Sequence, residues 1–281
     1  MKEFTVNNNL SRRSFLAASA VGAGGIMLSQ VKAFGAKLAP TKPCVVCWSE
    51  GTAPKKVYPK DINTSIAVGL RKALPDWEVI EADIDQPGQG LPDDLLKRCD
   101  VLIWWGHKKH GKVDNKLADK IVKRVKDEGM GFISLHSAHF AKPNIKLMSV
   151  EKTDPALLKK VRPGNRVAAW GGYRGDSLTL AIKVLDKKHP IAKGIKDFTV
   201  EHHERYSDPY AVPKPEAVVF SGDAKLKNGK IDTSQQGFCW TIGKGKMFYF
   251  QPGHETNPIF DDKNVQKIMS NAVLWAAPKK K

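Results

Sequence analysis

The chain has 281 residues, and its 46 lysines and arginines against 29 aspartates and glutamates give a formal charge of +17. That length suits one large α/β domain whose core needs no disulfide staples. The basic excess does not mark a nucleic-acid binder: Lys116, Lys120, Lys123 and Lys126 are spread along a predicted helix, without the aromatic–basic interleaving that stacks bases.

The N-terminus reads as an address. Ser11-Arg12-Arg13-Ser14-Phe15-Leu16 has the form of a twin-arginine export signal. The weakly apolar stretch after it, residues 15–28, is too short and too interrupted by glycine to span a membrane. Small residues suited to cleavage lie at 33–36. Residues 1–36 are therefore expected to be a signal peptide read by the Tat export machinery, and residues 37–281 a single domain. The expected location is the periplasm, with no stable membrane insertion after processing. Removing residues 1–33 takes away Lys2, Arg12, Arg13 and Lys32 against Glu3, so the remainder stays strongly basic.

From residue 44 the pattern alternates. Residues 44–49 form a predicted buried strand. Residues 60–74 form a helix with Ile62, Ile66, Leu70 and Leu74 on one stripe. Pro75 ends it, and a second strand covers 77–84. A short helix at 93–98 precedes a third strand at 100–105, apolar almost throughout as a central parallel strand is. Asp114 can cap a helix running to about residue 127, and 131–135 is the fourth strand. This rhythm specifies a parallel sheet with right-handed crossovers. The second half is less regular. Strand-like pieces fall within 163–186 and 197–206, and 216–221 is a further strand. Residues 237–242 and 246–250 are joined by Gly243-Lys244-Gly245, a hairpin signal. A last helix at 261–275 has Val265, Ile268, Met269, Ala272 and Ala276 on its apolar face.

Cys44 and Cys47 have redox-motif spacing but lie within one strand, where residues three apart face opposite ways. Together with Cys99 and Cys239 they are expected to be core thiols. Seven of the eight histidines fall in four groups, each after a strand-like run: His107 and His110, His136 and His139, His202 and His203, and His254. In open parallel sheets ligands bind beyond the carboxyl ends of the strands, and histidine is both a proton-transfer group and the commonest metal ligand. Taken singly, each is more readily a hydrogen-bonded structural residue than a ligand; their joint position carries the argument. No glycine-rich dinucleotide fingerprint follows a strand and no P-loop occurs, so neither a nicotinamide nor a nucleotide cofactor is expected.

Residues 99–110, 129–140 and 243–256, with the terminal helix ending at Asn271 to Pro278, resemble the trehalose-utilisation, ThuA-like family across nearly all of the chain beyond residue 36. The resemblance implies a flavodoxin-like, class I glutamine-amidotransferase-like fold: a three-layer α/β sandwich with a mostly parallel central sheet. In amidotransferases of that fold the fourth strand ends in a nucleophile elbow bearing a cysteine. His136-Ser137 stands there in this chain, so thiolate-based glutamine hydrolysis is not expected. Gln251 to Glu255 is similar to the late segment that delivers a catalytic His and Glu. Trp48-Ser49-Glu50 stands where the family shows Trp-Asn-Glu, and Thr52-Ala53-Pro54 where it often has His-Glu. Glu201, Glu204 and Tyr206 match an acidic–aromatic stretch.

The resemblance implies sugar chemistry. The expected catalytic set is His136, His254, Glu255, Glu204 and Glu50, for acid–base work. Trp48, His110, His139 and Tyr206 are the expected substrate contacts. His107, His136 and His254 are the expected ligands of one divalent metal, zinc before others. The expected protein is an exported lyase, hydrolase or isomerase acting on an oxidised, keto-form sugar or glycoside. Two alternatives stand beside it: a non-catalytic carbohydrate-binding protein, and a hydrolase using Ser137 paired with a histidine. The sequence leaves the oligomeric state open, a homo-oligomer included.

Overall fold

The computed structural model describes residues 42–162, 164–174, 179–201 and 203–279, with Arg174 described by its backbone alone. The expected signal peptide, residues 1–36, and His202 lie outside the described residues. Residues 41–281 form one compact unit. Among the described residues, no helix is long and apolar enough to cross a membrane.

The alternating first half folds as its pattern predicts. In chain order it comprises β1 (Cys44–Ser49), α1 (Ile62–Ala73), β2 (Glu78–Asp83), α2 (Asp93–Arg98), β3 (Val101–Trp105), α3 (Asn115–Glu128) and β4 (Gly131–Leu135). The Asp114 side chain accepts from the Lys116 N–H at the start of α3, and Gly129 ends that helix in the left-handed conformation. The second half adds α4 (Lys142–Met148), α5 (Pro155–Leu158), β5 (Trp170–Arg174), β6 (Leu180–Val184), β7 (Phe198–Val200) and β8 (Arg205–Tyr210). It closes with β9 (Ala217–Lys225), β10 (Ile231–Ile242), β11 (Gly245–Phe250) and α6 (Lys263–Ala276).

Nine strands make one sheet in the order β2-β1-β3-β4-β11-β10-β9-β6-β7. The first five are mutually parallel, and their order is that of flavodoxin-type sheets. The remaining four continue by antiparallel pairing. Only β10 and β6 run against the rest, so the sheet is mostly parallel. β5 and β8 form a separate two-stranded ribbon.

Strand alternation sorts the core into two layers. Val45, Cys47, Ile103, Trp105, Ile133, Leu135, Phe248 and Phe250 pack with α1 and α6. Cys44, Val46, Trp48, Leu102, Trp104, Phe132, Met247 and Tyr249 pack on the other face with α3. Cys44 and Cys47 thus face opposite layers, and all four cysteines are free and buried. Burial pushes the Cys44 thiol up to about 11 and raises the other three further.

The irregular half departs from expectation in its extents. The strand expected at 237–242 begins at Ile231, because register shifts between Gln235 and Phe238 interrupt the alternation that marks a strand. Helices α4 and α5 were not anticipated. Each is under two full turns and opens on a proline near its start, too short for a periodic stripe.

Candidate active site

Four parallel strands end at one edge of the sheet, and the turns after them hold the polar residues. β1 delivers Glu50 and Thr52, β3 delivers His107 to His110, β4 delivers His136, and β11 delivers Gln251 to Glu255. Glu204 enters from the segment before β8.

Glu50 is buried, and its Oε2 accepts from three successive backbone N–H groups, those of His107 (2.8 Å), Lys108 (2.7 Å) and Lys109 (2.7 Å). A carboxylate needs such charge-assisted partners to be tolerated in the interior. Its Oε1 lies 3.4 Å from His110 Nδ1. A side chain at Gly106 would place Cβ 2.9 Å from that oxygen and 3.0 Å from the His110 ring. Glu50 therefore shapes the β3 turn and aims His107 and His110.

His136 occupies the elbow after β4 with φ +47°, a conformation uncommon for a residue with a Cβ. Tyr249 Oη (2.7 Å) and His139 Nδ1 (3.0 Å) both donate to the His136 carbonyl, and Trp105 stacks on its ring with 7° between planes. Its Nδ1 lies 2.8 Å from the Gln251 carbonyl, which only accepts, so Nδ1 carries a proton. Its Nε2 lies 3.1 Å from Glu204 Oε1.

The other Glu204 oxygen, Oε2, lies 3.4 Å from His254 Nε2. His254 Nδ1 meets the Thr256 hydroxyl at 2.7 Å and the Thr256 N–H at 3.3 Å. Burial lowers the His254 pKa from its ordinary value, with His136 and His107 adding to the shift and Glu204 opposing it. The His254 ring meets those of His107 at 4.8 Å and His136 at 5.8 Å between centroids.

Glu255 is buried. It accepts from the Thr52 hydroxyl (2.8 Å), pairs with the Lys108 ammonium and faces His107 Nδ1 at 3.2 Å. Burial alone would raise this carboxyl; the contacts from His107, Lys108 and Thr52 outweigh it and hold the pKa at about 2.

His107, His136, His254, Glu204, Glu255 and Tyr206 thus come together as expected, Tyr206 with its ring 5.1 Å from that of His136. The expected metal set changes membership. His107, His254 and Glu255 each offer a donor atom within 4.8 Å of the others, and His136 is not in that group; a metal bound there would replace one of His254's contacts, with Glu204 or with Thr256. Two imidazoles and a carboxylate suit zinc. Lys108 shares the same carboxylate, and its side chain is 56% exposed and so can move aside.

Two expected substrate contacts are corrected. Trp48 is buried, stacked on Trp104 at 3.7 Å, and donates its Nε1–H to the Gln89 carbonyl. Its place in β1 turns it into the core layer under α3. His139 is buried beneath Phe140, ring centroids 3.9 Å apart, and serves the His136 elbow. Ser137 is buried and donates to the Gly106 carbonyl; among the described residues no Ser–His nucleophile pair is formed. His203 is buried. Lys108 and Thr52 were missed as site members. Lys108 is masked by the abundance of lysine, and Thr52 stands where the resemblance pointed to a missing polar group.

A flavodoxin-type α/β protein with a histidine–carboxylate cluster at its strand ends, and no thiol at its elbow, is the class that fold and site define. The trehalose-utilisation (ThuA) family profile matches residues 45–276, and the chain belongs to that family. Among solved structures it is similar to a ThuA-like protein from Parabacteroides merdae, at 15% identity and a TM-score of 0.59, covering 85% of this chain and 93% of that one. A ThuA-like protein from Bacteroides uniformis (16%, TM-score 0.53, 86% and 94%) and a cytoplasmic protein from Salmonella typhimurium (16%, TM-score 0.53, 84% and 100%) share the fold. No curated protein matches the chain.

Burial holds the His139 pKa well below its ordinary 6.5, against the pull of the His136 carbonyl. The unfolded chain therefore binds a proton that the folded protein refuses. This contribution to stability is complete above about pH 6.5 and declines as the pH falls toward the depressed value; His110 and His254 act in the same direction. Urea midpoints should fall from about pH 7 to about pH 5, and His139→Gln should flatten that slope. An unchanged slope in the variant would contradict the assignment.

Proposed function

We propose that this protein is an exported enzyme of carbohydrate catabolism that performs acid–base chemistry on oxidised, keto-form sugars or glycosides. The observation that supports it is the bridging of His136 Nε2 and His254 Nε2 by the two oxygens of Glu204. A ketone acidifies the C–H bond beside it. In this reading Glu204 takes that proton while the C–H electron pair moves onto the carbonyl oxygen, and a hydrogen bond to that oxygen stabilises the resulting enediolate without a covalent enzyme link. His136 holds Glu204 in place. Isomerisation and elimination begin from this step, and addition of water to the eliminated product completes a net hydrolysis, which leaves the class as lyase, hydrolase or isomerase. The elbow bears His136 and Ser137, and the cysteines lie buried in the core, so a glutamine amidotransferase reaction by a thiolate finds no nucleophile.

The first test is exchange. A keto-glucoside incubated with the protein in D2O should lose the NMR signal of the proton beside its carbonyl. Glu204→Gln and His254→Gln should slow that loss by about a hundredfold or more. Saturable binding without exchange or turnover, and a His254→Gln variant that binds as well as the parent, would instead describe a carbohydrate-binding protein.

Once Glu204 has turned to the C–H bond, His254 could donate its Nε2–H to the carbonyl oxygen; a divalent metal, if bound, would be held by His107, His254 and Glu255 and would supply Lewis-acid character instead. We favour the metal, zinc first, because the donor set matches. Elemental mass spectrometry should find about one equivalent per chain, lost in His107→Ala and kept in His136→Ala. Loss in both variants would restore His136 as a ligand, and no metal in the parent protein would leave the role to His254.

Export rests on Arg12 and Arg13. Replacing both by lysine should leave the protein in the cytoplasm of a Tat-competent cell while the parent reaches the periplasm. Equal distribution of the two would overturn the Tat reading.

A further inference from the structure

A cavity of about 470 Å³ lies beside the histidine cluster, lined by Phe140, Arg162, Trp170, Tyr173 and Tyr206 with backbone from Gly171 and Gly172. Its volume is within the roughly 300–1,000 Å³ of small-ligand sites. It shares two walls with the cluster. Tyr206 packs at 5.1 Å from the His136 ring, and Phe140 packs against His139 at 3.9 Å and His110 at 6.4 Å. The ribbon of β5 and β8 builds the far side. Tyr173 pairs in register with Tyr206, their rings 6.4 Å apart, and Trp170 lies at 6.4 Å from Tyr206. Tyr173 is 60% exposed, rare for so large a ring.

The two halves of this crevice differ in chemistry. The cluster holds histidines and carboxylates. Among the described residues, the cavity lining holds four aromatic rings, one guanidinium and no carboxylate. A sugar ring matches the second set: its C–H face, with partial positive charge, sits on the negative face of an aromatic ring, and its hydroxyl pairs match the forked donors of an arginine.

We propose that this cavity is a second sugar subsite, taking the distal ring of a two-ring glycoside whose reacting ring lies over Glu204, His136 and His254. Tyr173 is its platform, and Arg162 its hydrogen-bond donor. The assignment rests on the carbohydrate reading above, and its test is one of binding rather than of turnover.

Isothermal titration of the full chain with trehalose and with glucose measures it. Trehalose should bind more tightly than glucose, by roughly five- to tenfold. Tyr173→Ala should remove that advantage while leaving the affinity for glucose unchanged, and Tyr173→Phe, which keeps the ring face, should retain it. The exposure of Tyr173 means that neither change disturbs the core, which circular dichroism checks. Equal affinities for the two sugars, a Tyr173→Ala variant that keeps the preference, or failure of both sugars to bind would each overturn the subsite. A Tyr173-dependent preference in a protein that exchanges no proton would keep the subsite and discard the catalytic reading. Exchange without the preference would do the reverse.

Discussion

Glu50 ends β1 as a carboxylate with no exposure to solvent, and three consecutive N–H groups of the β3 turn converge on one of its oxygens. Burying that charge is costly, and the turn that solvates it can hold only one shape. The shape sets the rest of the edge. It sends His107 toward His254 and Glu255, carries Lys108 to the Glu255 carboxylate, and leaves His110 against the second Glu50 oxygen. Glu50 thus acts through the residues it positions.

The elbow after β4 is the second fixed point. A histidine at φ +47° is held by two donors on its own carbonyl, by the Gln251 carbonyl on one ring nitrogen and by Glu204 on the other. Strain of this kind persists only where the surroundings over-determine it. The elbow presents an imidazole oriented by its partners, and the neighbouring hydroxyl of Ser137 is spent on Gly106.

The antiparallel extension and the β5–β8 ribbon give the site its other side. The parallel strands provide the polar residues from one edge, while the ribbon brings aromatic rings over them. Trp170, Tyr206, Tyr210 and Tyr249 form a packed group behind this wall, with Trp170 and Tyr210 stacked at 4.2 Å and 2° between planes. Tyr173 is the ring left facing outward.

The sequence by itself determined the parallel half of the fold, because periodic burial and capping are local signals. The strand at 131–135 and the helix at 93–98 coincide with β4 and α2, and Asp114 caps α3 as its position suggested. It also determined that histidines would gather at strand ends, since the doubly wound topology puts those ends at one edge. Only the tertiary structure decided which of them touch. Trp48 and Glu50 are two residues apart, yet one faces the core and the other the β3 turn. His136 and His139 are three apart, yet one reaches Glu204 while the other supports it from below. Glu255 displaced His136 from the candidate metal set, and Lys108 and Thr52 joined the site, through contacts that link positions 147 and 203 residues apart. Spacing along a chain carries no information about such pairings; they arise from how the turns fold over the sheet edge.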